Sequence, residues 1–327
     1  MARARLVLTL FGGLLLTASH ASAEPSLWER ARHPGSRAEQ RLLVGVERML
    51  DARDEAGDDE ELAQRFARAA VALVDLAKLP APRDPRLACA IADALLGADV
   101  GRTDQAERLL RDAIPKLPPG SLLAEAWLRL ETIRSLRGDH AGARDADTRA
   151  LDIAWEPDQR ATAFYNRAES EVRLGELDRA VRDYEQSVTT ARDPRIEALA
   201  RFGLGVALER RGDLPAAYTA LDLGLAIRLP LSRYASDDPL DVPGVFFSPP
   251  YERFYLSALL GMARARHADD AAERRADYEQ ALAQWDAYLL AAARDEPWLE
   301  NARRHRARCA EELRKLPARR GRSGSVR

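Results

Sequence analysis

The chain has 327 residues, of which 31% are charged and 6% aromatic, and its formal net charge is −2. Near-neutrality gives no electrostatic footprint for nucleic acid, and abundant Ala, Leu, Arg and Glu with few β-branched clusters favour amphipathic helices over sheet. Two cysteines, Cys89 and Cys309, lie far apart in the sequence and are expected as buried core residues, not as a disulfide framework.

At the N-terminus, Arg3 and Arg5 precede an apolar run, Leu6 to Ala18, which ends in Ala21-Ser22-Ala23. This is the layout of a secretory signal peptide, with cleavage expected after Ala23. As a helix the run would rise about 20 Å, short of the roughly 30 Å hydrocarbon core, which argues against an uncleaved anchor. No cysteine follows it to carry an acyl chain. No later stretch is long and apolar enough to span a membrane. The expected location is therefore periplasmic or secreted, and the net charge without Arg3 and Arg5 is −4.

The rest of the chain repeats itself. Gly101, Gly138, Gly175 and Gly212 recur at an interval of 37, and each is followed five positions later by alanine: Ala106, Ala143, Ala180 and Ala217. Glycine can take the left-handed conformation that ends a first helix, and Asp104, Asp139, Asp178 or Asp213 can satisfy free amides opening the second. Apolar residues return at three and four positions on both sides of the turn, as in Phe164, Ala168 and Val172, then Ala180, Tyr184 and Val188. Such a hairpin cannot bury its apolar face alone, so neighbours must stack.

Phe164-Tyr165-Asn166-Arg167-Ala168 followed by Leu174-Gly175-Glu176-Leu177-Asp178-Arg179-Ala180 and Tyr184 resembles the tetratricopeptide repeat family. The repeat with Leu204-Gly205, Gly212-Asp213 and Ala217 is similar, while those around Gly101 and Gly138 match less well, Asp147 standing where an aromatic is usual. The family's interval is about 34, so the added residues are assigned to loops between hairpins. The resemblance implies an all-α fold, a right-handed α-α superhelix of antiparallel helix pairs closed by a C-terminal capping helix. Together with the leader, the insertion and the tail read from the residues, it divides the chain into a signal peptide (1–23), N-terminal helices of a degenerate repeat (24–85), four repeats (86–228), an irregular Pro and aromatic insertion (229–250), a helical pair and cap (251–316) and a disordered basic tail (317–327).

The resemblance also implies a concave groove lined by the first helices of successive hairpins, which accepts a peptide or a partner's helix. Matched residue by residue, it assigns Thr132 and Ser135, then Tyr165, Glu169 and Arg173, then Phe202, Glu209 and Arg210 to that groove. For Tyr165 and Phe202 packing between repeats is the alternative. The insertion offers a second candidate surface, since Phe246, Phe247, Tyr251, Phe254 and Tyr255 fall within ten residues. A long loop with its own aromatic cluster serves binding or plugs the stack where its interval fails.

Catalytic motifs are absent: no phosphate loop, no His-Glu-x-x-His, no Cys-x-x-Cys and no Gly-x-Ser-x-Gly. Gly203-Leu204-Gly205 lacks a third glycine and is read as a packing site. His305 and Cys309, four apart, make only half a metal site, so no metal and no cofactor is expected. Glu169 with Arg173, and Glu209 with Arg210, are read as solvated helix-surface charge. Three functions remain open. The first is an exported, non-enzymatic adaptor or scaffold holding a protein partner. The second is an envelope protein bound to cell wall or polysaccharide, through the insertion and through Arg314, Lys315, Arg319, Arg320, Arg322 and Arg327, a basic tail suited to weak contact with anionic polymers. The third is an enzyme of unfamiliar type beside Asp237, Asp238 and Asp241.

Overall fold

The computed structural model describes residues 34–56, 60–78, 81–98, 100–227, 240, 247 and 249–317. The segment expected to be a signal peptide, Phe246, most of the insertion and the tail beyond 317 lie outside these residues. Among the described residues there are thirteen α-helices and no strand. They are α1 (Pro34–Glu55), α2 (Glu60–Ala77), α3 (Pro85–Gly97), α4 (Thr103–Ala113), α5 (Ser121–Leu136), α6 (His140–Leu151) and α7 (Pro157–Arg173), then α8 (Leu177–Thr190), α9 (Pro194–Arg211), α10 (Leu214–Ala226), α11 (Glu252–His267), α12 (Ala271–Ala291) and α13 (Leu299–Lys315). Two compact units divide inside α7. The first runs to Asn166, and the second holds Arg167 through α10 together with α11 to α13.

The helices pair in sequence because each turn is closed locally. Gly138, Gly175 and Gly212 have φ of +76°, +77° and +96°, a region costly for any residue with a Cβ. After Gly138 the Asp139 amide returns to the Arg134 carbonyl, and after Gly212 the Asp213 amide returns to Leu208, each at 2.9 Å, which satisfies carbonyls the helix end leaves open. Asp139 and Asp213 then cap the second helices, accepting from the amides of Gly142 and Ala216.

Asp104 and Asp178 do not cap, contrary to the expectation from sequence. They stand three residues past their glycines, inside the first turn, where the carboxylate projects outward. Each meets an arginine 33 positions later instead: Arg137 pairs with Asp104, and Arg211 with Asp178 at 3.4 Å. Neighbouring hairpins within each unit are thus tied by equivalent ion pairs.

In the first unit the core runs through Leu42 and Val46 of α1, Ala67 and Ala70 of α2, Leu87 and Ile91 of α3, Ala106 and Leu110 of α4, and Leu130 and Ile133 of α5. The Gly+5 alanines are buried throughout, leaving room for the facing helix. Asp93, buried, bridges Arg53 at 3.2 Å and Arg129 at 2.9 Å. The first helices α5 and α7 run in the same direction, since Gln159 at the start of α7 donates to the Ser121 carbonyl at the start of α5.

In the second unit Gly203 faces Tyr184, Gly205 faces Leu221 and Gly224 faces Phe202, each so closely that a Cβ would collide. Gly203-Leu204-Gly205 is therefore a packing site. Cys89 and Cys309 are buried and free, one in each unit. No helix among the described residues is long and apolar enough to cross a membrane.

Candidate functional site

The residues assigned to a groove divide between the two units. In the first, Thr132 is buried and its hydroxyl donates to the Leu128 carbonyl at 3.1 Å and to Glu131 at 3.2 Å. Glu131 also accepts from Asn166 at 3.1 Å, and Ser135 is buried on the same helix. These groups serve the packing of α5 and α7. Tyr165 is half-buried. The first unit also contains a cleft of about 320 Å³ lined by Leu42, Val74, Leu87, Ile91, Leu109 and Arg108.

In the second unit Phe202 is 1% exposed, its ring against Gly224, so it fills the α9–α10 hairpin instead of facing solvent. Glu169 is half-buried. Glu209 and Arg210 are 3% and 7% exposed. The reading of this pair as solvated surface charge is corrected here, because the helices after residue 250 close over them.

That closure builds one polar cluster around Glu252, the first residue of α11. Arg210 donates from Nη2 to Glu252 Oε2 at 2.5 Å, and Arg173, the last residue of α7, donates from Nη1 to Glu252 Oε1 at 2.7 Å. Arg173 also reaches both oxygens of Glu296, at 3.3 and 3.1 Å. Tyr251 donates to Glu296 at 2.7 Å. The Arg210 guanidinium lies 4.7 Å from the centre of the Tyr255 ring and 4.9 Å from that of Trp298.

Glu209 anchors a second half of the cluster. It accepts from the Tyr255 hydroxyl at 2.5 Å and from Asn301 at 3.0 Å, and meets His305 Nε2 at 2.7 Å. Burial would raise its pKa, but the hydrogen bond and charge of His305 and the Tyr255 hydroxyl outweigh it and hold the carboxyl below its usual range. The Tyr251 hydroxyl is pushed up to about 12, by burial and by Glu296. Trp285 stacks on His305, with centroids 5.2 Å apart, and packs edge-on against Tyr255. His305 therefore serves Glu209.

Of the groove assignments, the structure brings together Arg173, Glu209 and Arg210, and adds Tyr251 from the insertion candidates. Phe247 is half-buried and outside this set. Glu252, Tyr255, Glu296, Trp298, Asn301 and His305 complete it. Glu252 and Glu296 belong to no repeat; the aromatic run 246–255 marked the vicinity of Glu252 alone.

These hairpins define the class among the described residues: an all-helical arrangement of helices packed in adjacent pairs, consistent with the tetratricopeptide-like pattern of the sequence. No family model matches the sequence, and no curated protein matches it significantly. Among solved structures the chain is similar to MamA, at 22% identity over 51% of this chain and 87% of that one, with a TM-score of 0.39. It is similar to BtubC from P. vanneervenii at 20% identity over 64% and 90%, TM-score 0.46. It is also similar to the APC/C hetero-tetramer Cut9-Hcn1 at 12% identity over 85% and 47%, TM-score 0.46.

Proposed function

We propose that the chain is an exported, non-catalytic helical-repeat scaffold that holds a protein partner. One observation carries the reading: hairpins on a 37-residue interval, each closed by its glycine and seated on a buried alanine, give each unit a preorganised helical surface. Rigid surfaces of this kind bind extended or helical segments at reduced entropic cost. Tyr165 and Glu169, half-buried on α7, are the groove residues with surface to offer. The leader ending at Ala23 supports export, and the basic tail would add weak attraction to anionic envelope polymers.

The experiment is capture of the C-terminally tagged full chain from the cells that make it, alongside a Tyr165→Ala, Glu169→Ala variant. A partner recovered in stoichiometric amount with the parent and depleted with the variant is expected. Absence of any stoichiometric partner refutes the scaffold, and equal recovery refutes the α7 surface. N-terminal sequencing of the captured chain should begin at Glu24, whereas an intact leader refutes export.

A further inference from the structure

Of the four charged residues that the repeat pattern assigns to the groove in the second unit, three, Arg173, Glu209 and Arg210, are engaged by the chain's own last three helices. The seam between α9–α10 and α11–α13 is ionic and aromatic. Glu252 bridges both arginines, Glu209 receives Tyr255, Asn301 and His305, His267 meets Asp222 at 2.9 Å, and the Arg266 guanidinium lies 4.2 Å from the centre of the Tyr218 ring. Arg173 Nε, Arg210 Nε and the Tyr288 hydroxyl are buried there without a hydrogen-bond partner among the described residues. A closed seam that leaves donors unmet gains little over the same groups in water.

The direction of α11 also departs from the repeat. In the first unit α5 and α7 run alike, as Gln159 on Ser121 shows, but here the end of α9 meets the start of α11. His267, at the far end of α11, lies beside Asp222 in the second half of α10. The last three helices therefore do not extend the stack. They lie on α9 and α10.

We propose that α11–α13 occupies in cis a docking face formed by the ends of α7 and α9, and that the partner accepted on its release is a helix presenting a carboxylate and a tyrosine three residues apart. Glu252 and Tyr255 supply that pattern: a carboxylate held by two guanidinium groups, a phenol donating to Glu209, and a ring face covering Arg210. The proposal deepens the scaffold reading, and its test does not depend on finding the natural partner.

The probe is a labelled peptide of residues 250–268, titrated against the full chain, the Glu252→Lys, Tyr255→Ala chain, and that variant with Arg210→Ala added. When the competing segment is weakened, the face becomes available for a larger fraction of the time and apparent affinity rises in proportion. At least about tenfold tighter binding by the double variant, lost on adding Arg210→Ala, is expected. Equal affinity for the parent and the double variant overturns the proposal. Should the double variant lose its helical circular dichroism, hydrogen exchange on the parent chain decides. Amides of α11–α13 exchanging together and faster than those of α8–α10 uphold it, and exchange of α8–α13 as one unit overturns it. Failed partner capture with positive peptide binding would sink the scaffold reading alone.

Discussion

Arg210 and Glu252 stand 42 residues apart yet pair at 2.5 Å, joining the last turn of α9 to the first turn of α11. The contact sets chain direction. With the end of α9 beside the start of α11, and α10 returning along α9 from the Gly212 turn, α10 and α11 run alike. A thirteen-residue helix rises about 20 Å, so the end of α10 and the start of α11 lie at opposite ends of the α9–α10 hairpin. In the sequence, the change of direction falls at the irregular insertion.

Glu171 gives a pH signature. Its Oε2 is buried without a partner while Arg167 is held by Asp183 at 2.5 Å, and burial followed by the Asp183 charge raises the carboxyl to about 7. An acid whose folded pKa lies above its unfolded value stabilises the fold when protonated, and that contribution falls as pH rises from about 4.5 through 7. Glu171→Gln should therefore be more stable than the parent at pH 8 by about 1–3 kcal/mol, with the gain shrinking toward pH 5. Urea denaturation at both values checks this, and a gain independent of pH would contradict it.

Two glycines separate conformational from packing cost. Gly175 has φ +77° and open space around it, so Gly175→Ala should cost about 1 kcal/mol through backbone strain. At Gly203 a Cβ would sit 2.3 Å from a Tyr184 ring carbon, and that ring is buried. Gly203→Ala should cost about 1–3 kcal/mol and disturb the Tyr184 environment, visible as a change in near-ultraviolet circular dichroism.

Burial lifts both thiols, Cys89 and Cys309, to about 12. At pH 8 the thiolate population is then roughly a thousandfold below that of an ordinary thiol. Iodoacetamide should leave both cysteines unlabelled in the native chain and label both in urea, read by mass spectrometry. Rapid native labelling at either position would contradict their burial.

The legible parts of the molecule were those encoded over a few residues. A glycine with alanine five positions later marks a turn, because left-handed geometry and close helix approach are local demands, and Gly138, Gly175 and Gly212 meet them. Asp104 and Asp139 looked alike in sequence, yet a two-residue offset from the glycine turns a cap into an ion-pair partner. Glu209 and Arg210 read as surface charge because adjacent helical charges usually point to water. Their burial depends on Glu252, Trp298, Asn301 and His305, up to 96 residues away and on no common period. Arg173 and Glu296, 123 residues apart, were beyond any pattern for the same reason.

The clamp that fixes the last three helices on α9 is most directly tested by a double-mutant cycle on Arg210→Ala and Glu252→Ala, measured by urea denaturation. Removing Glu252 leaves the buried Arg210 without its carboxylate, so Glu252→Ala should cost about 3–5 kcal/mol, while Arg210→Ala, which leaves Glu252 paired with Arg173, should cost less. The account predicts a coupling energy of at least about 1.5 kcal/mol, the double variant losing clearly less than the sum of the singles. Additive losses, with no coupling between the two positions, would contradict it.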